Sequence, residues 1–439
     1  MLDIVMNVPV MVKVLTALCL ILVINQFCRH LMVSVGAAAL VLAVWCGHSP
    51  SRIGIITWER LSSPSNLILM LIIFEVIWLS SQMSETGVME DLVFSVRSMV
   101  SRRGAVAVLP AVIGLLPMPG GALFSAPLVE SCDPAQDLTN RLKAQTNHWF
   151  RHVWEYWWPL YPGILLAIEI TGLDMWQYVL MGLPLTAGAI LAGYYFLLRQ
   201  VKPEEEQHTN DDDGAVPSFF WLVLPIVVVV AGYTVVRLGH YGAQRVWPGI
   251  GPINRMLPMA FGLLCAMIVL QLERPLPRKK WQEIIFSRRA LNMALIVAAV
   301  RVYGAFIEAR LPNGTLLVAQ MRSEMADLGI PLVAVVMLIP LISGLATGIS
   351  IGFVGASFPI VLRLLGADPS VGEVVYTTVL AYGFGYMGML ISPVHVCLVV
   401  TCEYFETEVI PNILGMVKPA LVMLVWSVVL HVIYRLLLG

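Results

Sequence analysis

His148, His152 and Glu155 recur at helical spacing in the segment Asn147-His-Trp-Phe-Arg-His-Val-Trp-Glu155, so one helix face can present two imidazoles and a carboxylate. That set suits a proton relay or a metal ion, because imidazole titrates near neutral pH and ligates divalent metals. Trp149, Phe150 and Trp154 lie among them and point to an aromatic anchor at a membrane surface. The reading carried forward is anchoring without a metal site, with His152 and Glu155 as candidate proton carriers. Glu75 is a third candidate, since an ionisable group inside an apolar run is costly to keep there.

Two further clusters offer backbone chemistry. In Leu116-Pro-Met-Pro-Gly-Gly-Ala-Leu-Phe-Ser125, Pro119 lacks an amide donor, and Gly120 and Gly121 permit close approach and positive φ. Two half-helices must meet there. The amides of the second can receive an anion, the carbonyls of the first a cation, with the Ser125 hydroxyl nearby. Ser343-Gly-Leu-Ala-Thr-Gly-Ile-Ser350 repeats the logic around Gly348 and adds the hydroxyls of Ser343, Thr347 and Ser350. Each cluster is followed by a second interruption, Trp158-Pro159-Leu-Tyr161-Pro162-Gly163 and Ser392-Pro393-Val-His395. Proline frees a carbonyl there, and Tyr161, Ser392 or His395 can join a substrate or ion at it. Gly348-Ile-Ser350-Ile-Gly352 also matches G-x-S-x-G, with His395 as a conceivable base, but no strand precedes it as a nucleophile elbow requires.

The elements that must hold these residues are set by composition. Of 439 residues 58% are hydrophobic and 13% charged, with mean hydropathy +0.82, whereas soluble domains carry about 25% charged residues. An ordinary soluble enzyme is excluded, and an all-α polytopic bundle is implied. A net charge of −1 with scattered basic residues argues against nucleic acid. The seven cysteines lack paired spacings, and no phosphate-binding loop appears. The first apolar run has neither a basic leader nor a small-residue cleavage site and is expected to persist as a helix.

Ten continuous spans are expected near 8–27, 31–47, 66–81, 153–172, 176–198, 218–237, 252–271, 290–309, 376–400 and 413–437. Stretches 104–132 and 330–365 are too long for one span and are broken at their centres, so each is read as a re-entrant hairpin. Basic residues in loop 272–289 place it in the cytoplasm and leave both termini outside. The order of elements then repeats with opposite orientation. Residues 1–200 form a first repeat, 201–217 an acidic cytoplasmic linker and 218–439 a second repeat. Glu75 and Arg301 fall at equivalent positions, predicting an ion pair between them.

Five spans plus a hairpin in inverted repeat resembles the ion transporter superfamily of secondary carriers, which includes divalent-anion, citrate and gluconate permeases. Leu116–Pro127 and Trp149–Pro162 look like those of the domain-of-unknown-function 401 family. The resemblance implies a non-enzymatic transporter in the cytoplasmic (inner) membrane, without a cofactor. Its hairpins and broken spans would move as an elevator against a homodimeric scaffold within the lipid bilayer. The expected partners are a small anionic solute and Na⁺ or H⁺ as coupling ion. The Ser-Asn-Thr tip motifs of the divalent-anion symporters are replaced by Pro-Gly-Gly at 119–121 and Ala-Thr-Gly at 346–348. A Na⁺/H⁺ antiporter is the nearest alternative, and an intramembrane serine hydrolase acting through Ser350 is another.

Overall fold

The computed structural model describes residues 8–28, 30–97, 100–116, 121–134, 136–201, 219–366 and 368–439. Of the predicted elements, Pro119, Gly120 and linker residues 202–217 lie outside them. The chain is all-helical, and the sole extended pairing among the described residues is an isolated bridge between Arg310 and Leu316.

In chain order the helices begin with α1 (Val10–Cys28), α2 (Leu31–Trp45), α3 (Pro50–Leu61), α4 (Pro64–Glu85) and α5 (Val88–Arg97). Next come α6 (Arg102–Ile113), α7 (Ala122–Ser131), α8 (Asn140–Arg151), α9 (Pro162–Thr171) and α10 (Met175–Phe196). The second half holds α11 (Phe219–Val246), α12 (Leu257–Glu273), α13 (Arg278–Ile285), α14 (Arg288–Glu308) and α15 (Leu317–Asp327). It closes with α16 (Leu332–Thr347), α17 (Ser350–Arg363), α18 (Val371–Leu390), α19 (Val396–Tyr404) and α20 (Val409–Leu438).

Local signals account for several starts that hydropathy alone places late. Ser63 accepts the Asn66 amide and Pro64 occupies the first turn, so α4 begins before the apolar run. Ser370 and Glu373 form a capping box that starts α18 at Val371 rather than near 376.

Among the described residues, six helical segments are long and apolar enough to cross a membrane, including Pro64–Glu85 and Val409–Leu438. Their outward faces carry exposed leucines and valines such as Leu191, Val235, Leu421 and Val425, as lipid contact requires. The chain is a multi-pass membrane protein. Two corrections follow: 153–172 and 376–400 are not continuous spans. The first is interrupted between Arg151 and Pro162, the second between Leu390 and Val396. At 15 and 17 residues, α2 and α12 fall short of the usual spanning length.

The centre of the molecule is α18, buried almost throughout from Gly372 to Leu390. Gly344 of α16 meets Gly385 of α18 so closely that a Cβ on Gly344 would sit 2.1 Å from the Gly385 carbonyl oxygen. Absent side chains let these two backbones touch.

The start of α6 is tied to the residues that follow α7. Arg102, at the start of α6, donates to the Cys132 carbonyl just past the end of α7 at 2.8 Å, and also pairs with Asp133 and Asp137. Lys143 Nζ lies 2.7 Å from Asp133. Hydrogen bonds from Arg102 hold the Asp137 carboxyl below the usual carboxylate range. A folded pKa below the unfolded value of about 3.9 means a contribution present above that value and lost as pH falls through the folded one. Asp137→Asn is therefore expected to flatten the acid limb of the thermal-stability profile in detergent; superimposable acid limbs for wild type and variant would refute the assignment.

Candidate functional site

Ending a helix inside a membrane leaves its last carbonyls unpaired, and each needs a donor. At the end of α6 those donors come from the interruption between α8 and α9. Trp154 Nε1 donates to Ala111 at 2.9 Å, Trp158 Nε1 to Leu115 at 2.9 Å, and Tyr161 Oη to Gly114. The second half has the same device: Ser392 Oγ, in the interruption between α18 and α19, donates to the Leu345 carbonyl near the end of α16 at 2.5 Å. The carbonyl ends expected to cradle a cation are therefore occupied by side chains.

The amide ends are different. Among the described residues, no side chain caps α7 at Gly121 or α17 at Ile349, so these first turns keep donors and positive dipole ends available. Gly121 itself has φ −59°, an ordinary helical value rather than the positive φ its type permits. Gly348 does adopt positive φ, +64°, as the cap of α16, and its amide donates to Gly344. Of the hydroxyls, Ser343 and Thr347 bond back to Ile339 and Ser343 carbonyls at 2.7 Å. Ser125 Oγ is fully buried and has no hydrogen-bond partner among the described residues.

The two halves interlock at this level. Helix α17 packs on α9, and α7 packs on α19, so each hairpin's second arm lies against the broken span of the other half. A Cβ on Gly163 would fall 2.6 Å from Ser350 Oγ, and one on Gly348 would fall 2.9 Å from the His395 amide nitrogen. Ser350 and His395 share no hydrogen bond, and a helix rather than a strand precedes Ser350, so the nucleophile-elbow geometry is absent.

What the sequence reading missed most is α8. Its sequence, NRLKAQTNHWFR, is polar, yet from Leu142 to Arg151 every residue is buried. The segment 147–155 is not a surface anchor: Trp149 is 1% exposed and donates to the Ala189 carbonyl. Asn147 Nδ2 bonds Thr401 Oγ1 at 3.1 Å and so ties α8 to α19. His148 Nε2 lies 2.9 Å from the Leu390 carbonyl, His152 Nδ1 2.6 Å from the His148 carbonyl, and His152 Nε2 3.1 Å from His395 Nε2. Glu155 Oε1 is 3.8 Å from His152 Nε2. The turn carrying these groups is itself held by α18, whose Tyr386 and Tyr382 hydroxyls donate to the His152 and Glu155 carbonyls at 2.6 Å. The available signal was the pair of histidines one turn apart after the Thr139 cap, which extends the helix upstream of the apolar run.

Other predicted residues separate from this centre. Pro159 is buried beside Leu165 and Met259 around a small apolar gap, whereas Pro393 is exposed. The expected Glu75–Arg301 pair does not form: Arg301 reaches Glu169 at 3.1 Å, and Glu75 Oε2 is buried without a partner among the described residues. Arg60, Glu169, Arg301, Glu308 and Arg363 instead line a charged cavity of about 190 Å³, a convergence that no local motif announced.

A family model described as "Protein of unknown function (DUF401)" matches residues 9–436. No curated protein matches the chain. Among solved structures, the crystal structure of the Alcanivorax borkumensis YdaH transporter, described as having an unusual topology, superposes with a TM-score of 0.56 at 13% identity. The match covers 88% of this chain and 89% of that one, a similarity of fold.

Proposed function

The chain belongs to the DUF401 family of proteins of unknown function, and we propose that it is a secondary active transporter moving a small anionic organic solute across the cytoplasmic membrane. The observation that carries the proposal is α8, a polar helix buried from Leu142 to Arg151 among interrupted helices. Buried ionisable groups in a membrane bundle are expensive and are kept where a solute or ion is handled. The uncapped starts of α7 and α17 supply amide donors for an anion without a fixed cation. The fold shared with a transporter supports the same reading.

In this account Gly121, Ser125, Thr347, Gly348 and Ser350 contact solute. Protons or Na⁺ couple the movement, with Glu155 as the proton-carrying group and Glu75 as a more distant one. The order of elements α3–α10 and α13–α20, and the reciprocal packing of α7 and α17, support two inverted repeats, 1–200 and 218–439. The hairpins would ride as an elevator against a homodimeric scaffold, both termini outside.

The deciding experiment is a thermal-shift screen of organic anions with and without Na⁺, followed by proteoliposome uptake of each stabilising compound under Na⁺ or pH gradients. Gly348→Ala is expected to fold, at a cost of about 1–3 kcal/mol for a side chain at positive φ. Its uptake should fall at least about tenfold, or about 1.4 kcal/mol, because the new methyl displaces His395. Wild-type uptake in that variant would remove the second tip from the site. Exchange of Na⁺ for H⁺ in liposomes lacking any organic solute would establish the antiporter instead.

A further inference from the structure

We propose that His148, His152 and His395 form a binding site for one divalent transition-metal ion of the imidazole-preferring class, Zn²⁺, Co²⁺ or Ni²⁺. One ring nitrogen from each residue lies within 4.8 Å of one from each of the others, and all three side chains are buried. Two come from α8 and its cap and the third from the break before α19, so the site exists only where the two halves meet.

The hydrogen bonds set the rings for ligation. A carbonyl oxygen can only accept, so His148 Nε2 and His152 Nδ1, each facing one, carry their protons on those atoms. The other nitrogens, His148 Nδ1 and His152 Nε2, therefore present lone pairs in the neutral rings. This arrangement, with one imidazole nitrogen donating to a carbonyl and the other left to the metal, is the usual second shell of a ligating histidine. A hydrogen bond between His152 and His395 accounts for their contact alone. It leaves His148 Nδ1 buried with no partner among the described residues, and His395 Nδ1 likewise, which is costly in an apolar interior.

A metal ion resolves the His148 nitrogen with the others. At about 2.0–2.1 Å from each ligand, two nitrogens sharing a tetrahedral ion stand roughly 3.3 Å apart, close to the 3.1 Å between His152 and His395. The widest separation in the trio must close by roughly 1.5 Å, within reach of the broad χ2 torsion of histidine. The carboxylate of Glu155 stands 3.8 Å from His152 Nε2 as an oxygen donor for a fourth position. Nitrogen ligands with a single carboxylate favour these metals over Mg²⁺ or Ca²⁺. Bound there, the ion cross-links α8 to the break before α19.

The test reads binding rather than transport, so it stands or falls independently of the solute. Full-length protein is purified in detergent, stripped with chelator, and dialysed against Zn²⁺ or Co²⁺. Folded wild type is expected to retain about one metal ion per chain, to melt at higher temperature when loaded, and with Co²⁺ to show the visible absorption of a low-symmetry nitrogen-ligated site. His148→Gln, His152→Gln and His395→Gln should each weaken binding at least about 100-fold. His431→Gln, altering a buried histidine bonded to the Tyr376 carbonyl, should bind as wild type. His395→Cys, which keeps a ligand, serves if the glutamine variants do not elute as folded protein, and should retain metal. Absence of stoichiometric metal in folded wild type, or wild-type affinity in the folded glutamine variants, overturns the site.

Discussion

Gly344→Ala is expected to cost the protein at least about 3 kcal/mol, the upper range for forcing extra volume into a packed core, and to abolish monodisperse elution in detergent. The new Cβ would lie 2.1 Å from the Gly385 oxygen and 2.7 Å from the Met389 nitrogen. Both are backbone atoms of α18, which is packed on all sides and cannot move away. The reciprocal contact fails in the same way: a Cβ on Gly388 would meet the Leu341 carbonyl at 2.2 Å. Gly36→Ala in α2 provides the contrast, because its Cβ meets nothing within 4 Å. There alanine should be neutral or raise stability by about 0.5–1 kcal/mol through its better helix propensity. Equal melting temperatures for Gly344→Ala and wild type would show that α16 and α18 are not in backbone contact.

Asp133→Ala is expected to destabilise by about 3–5 kcal/mol, the cost of stripping a partner from a buried ion pair. The Asp133 side chain is fully buried, pairs with Arg102 and Lys143, and accepts the Asp137 and Leu138 amides at 3.2 Å. Lys143 is 2% exposed, and its remaining partner is Glu130 at 3.2 Å. Removing the cation as well should recover much of the loss, since no buried charge then lacks its partner. Thermal melts of Asp133→Ala, Lys143→Met and the double variant close the cycle. Strict additivity of the two single effects would mean that these residues do not act as a pair.

Much of the architecture was legible. The apolar runs, the Gly-Pro interruptions and the serine caps are local signals, and each acts within a few residues of where it is written. Stretch 330–365 breaks at Gly348, as its glycine predicts, and in 104–132 α6 ends at Ile113 and α7 begins at Ala122, with Arg102 tying the start of α6 to the residues after α7. The second interruptions, 152–161 and 391–395, contain Pro159 and Pro393. Pro110, Pro127, Pro184, Pro340 and Pro359, however, sit inside helices, so a missing amide ends a helix only where packing does not carry the chain across it.

The roles of individual groups were less legible, because they depend on what lies opposite. Trp154 read as an interfacial aromatic and Tyr161 as a substrate or ion contact; with Trp158 they are donors to the carbonyls at the end of α6, from a segment some forty residues distant. Glu75 and Arg301 matched by position but not by contact, since a side chain's partner is set by helix packing and not by repeat alignment.

By itself, the amino-acid sequence determined that this is a helical membrane protein with paired interruptions, because hydrophobic length and backbone-breaking residues act locally. Only the tertiary structure decided that a polar helix is buried at its heart, and that His395 from the far half completes a trio with His148 and His152. Burial and ligand geometry are properties of segments brought together from opposite ends of the chain, and no periodicity within either segment encodes the other.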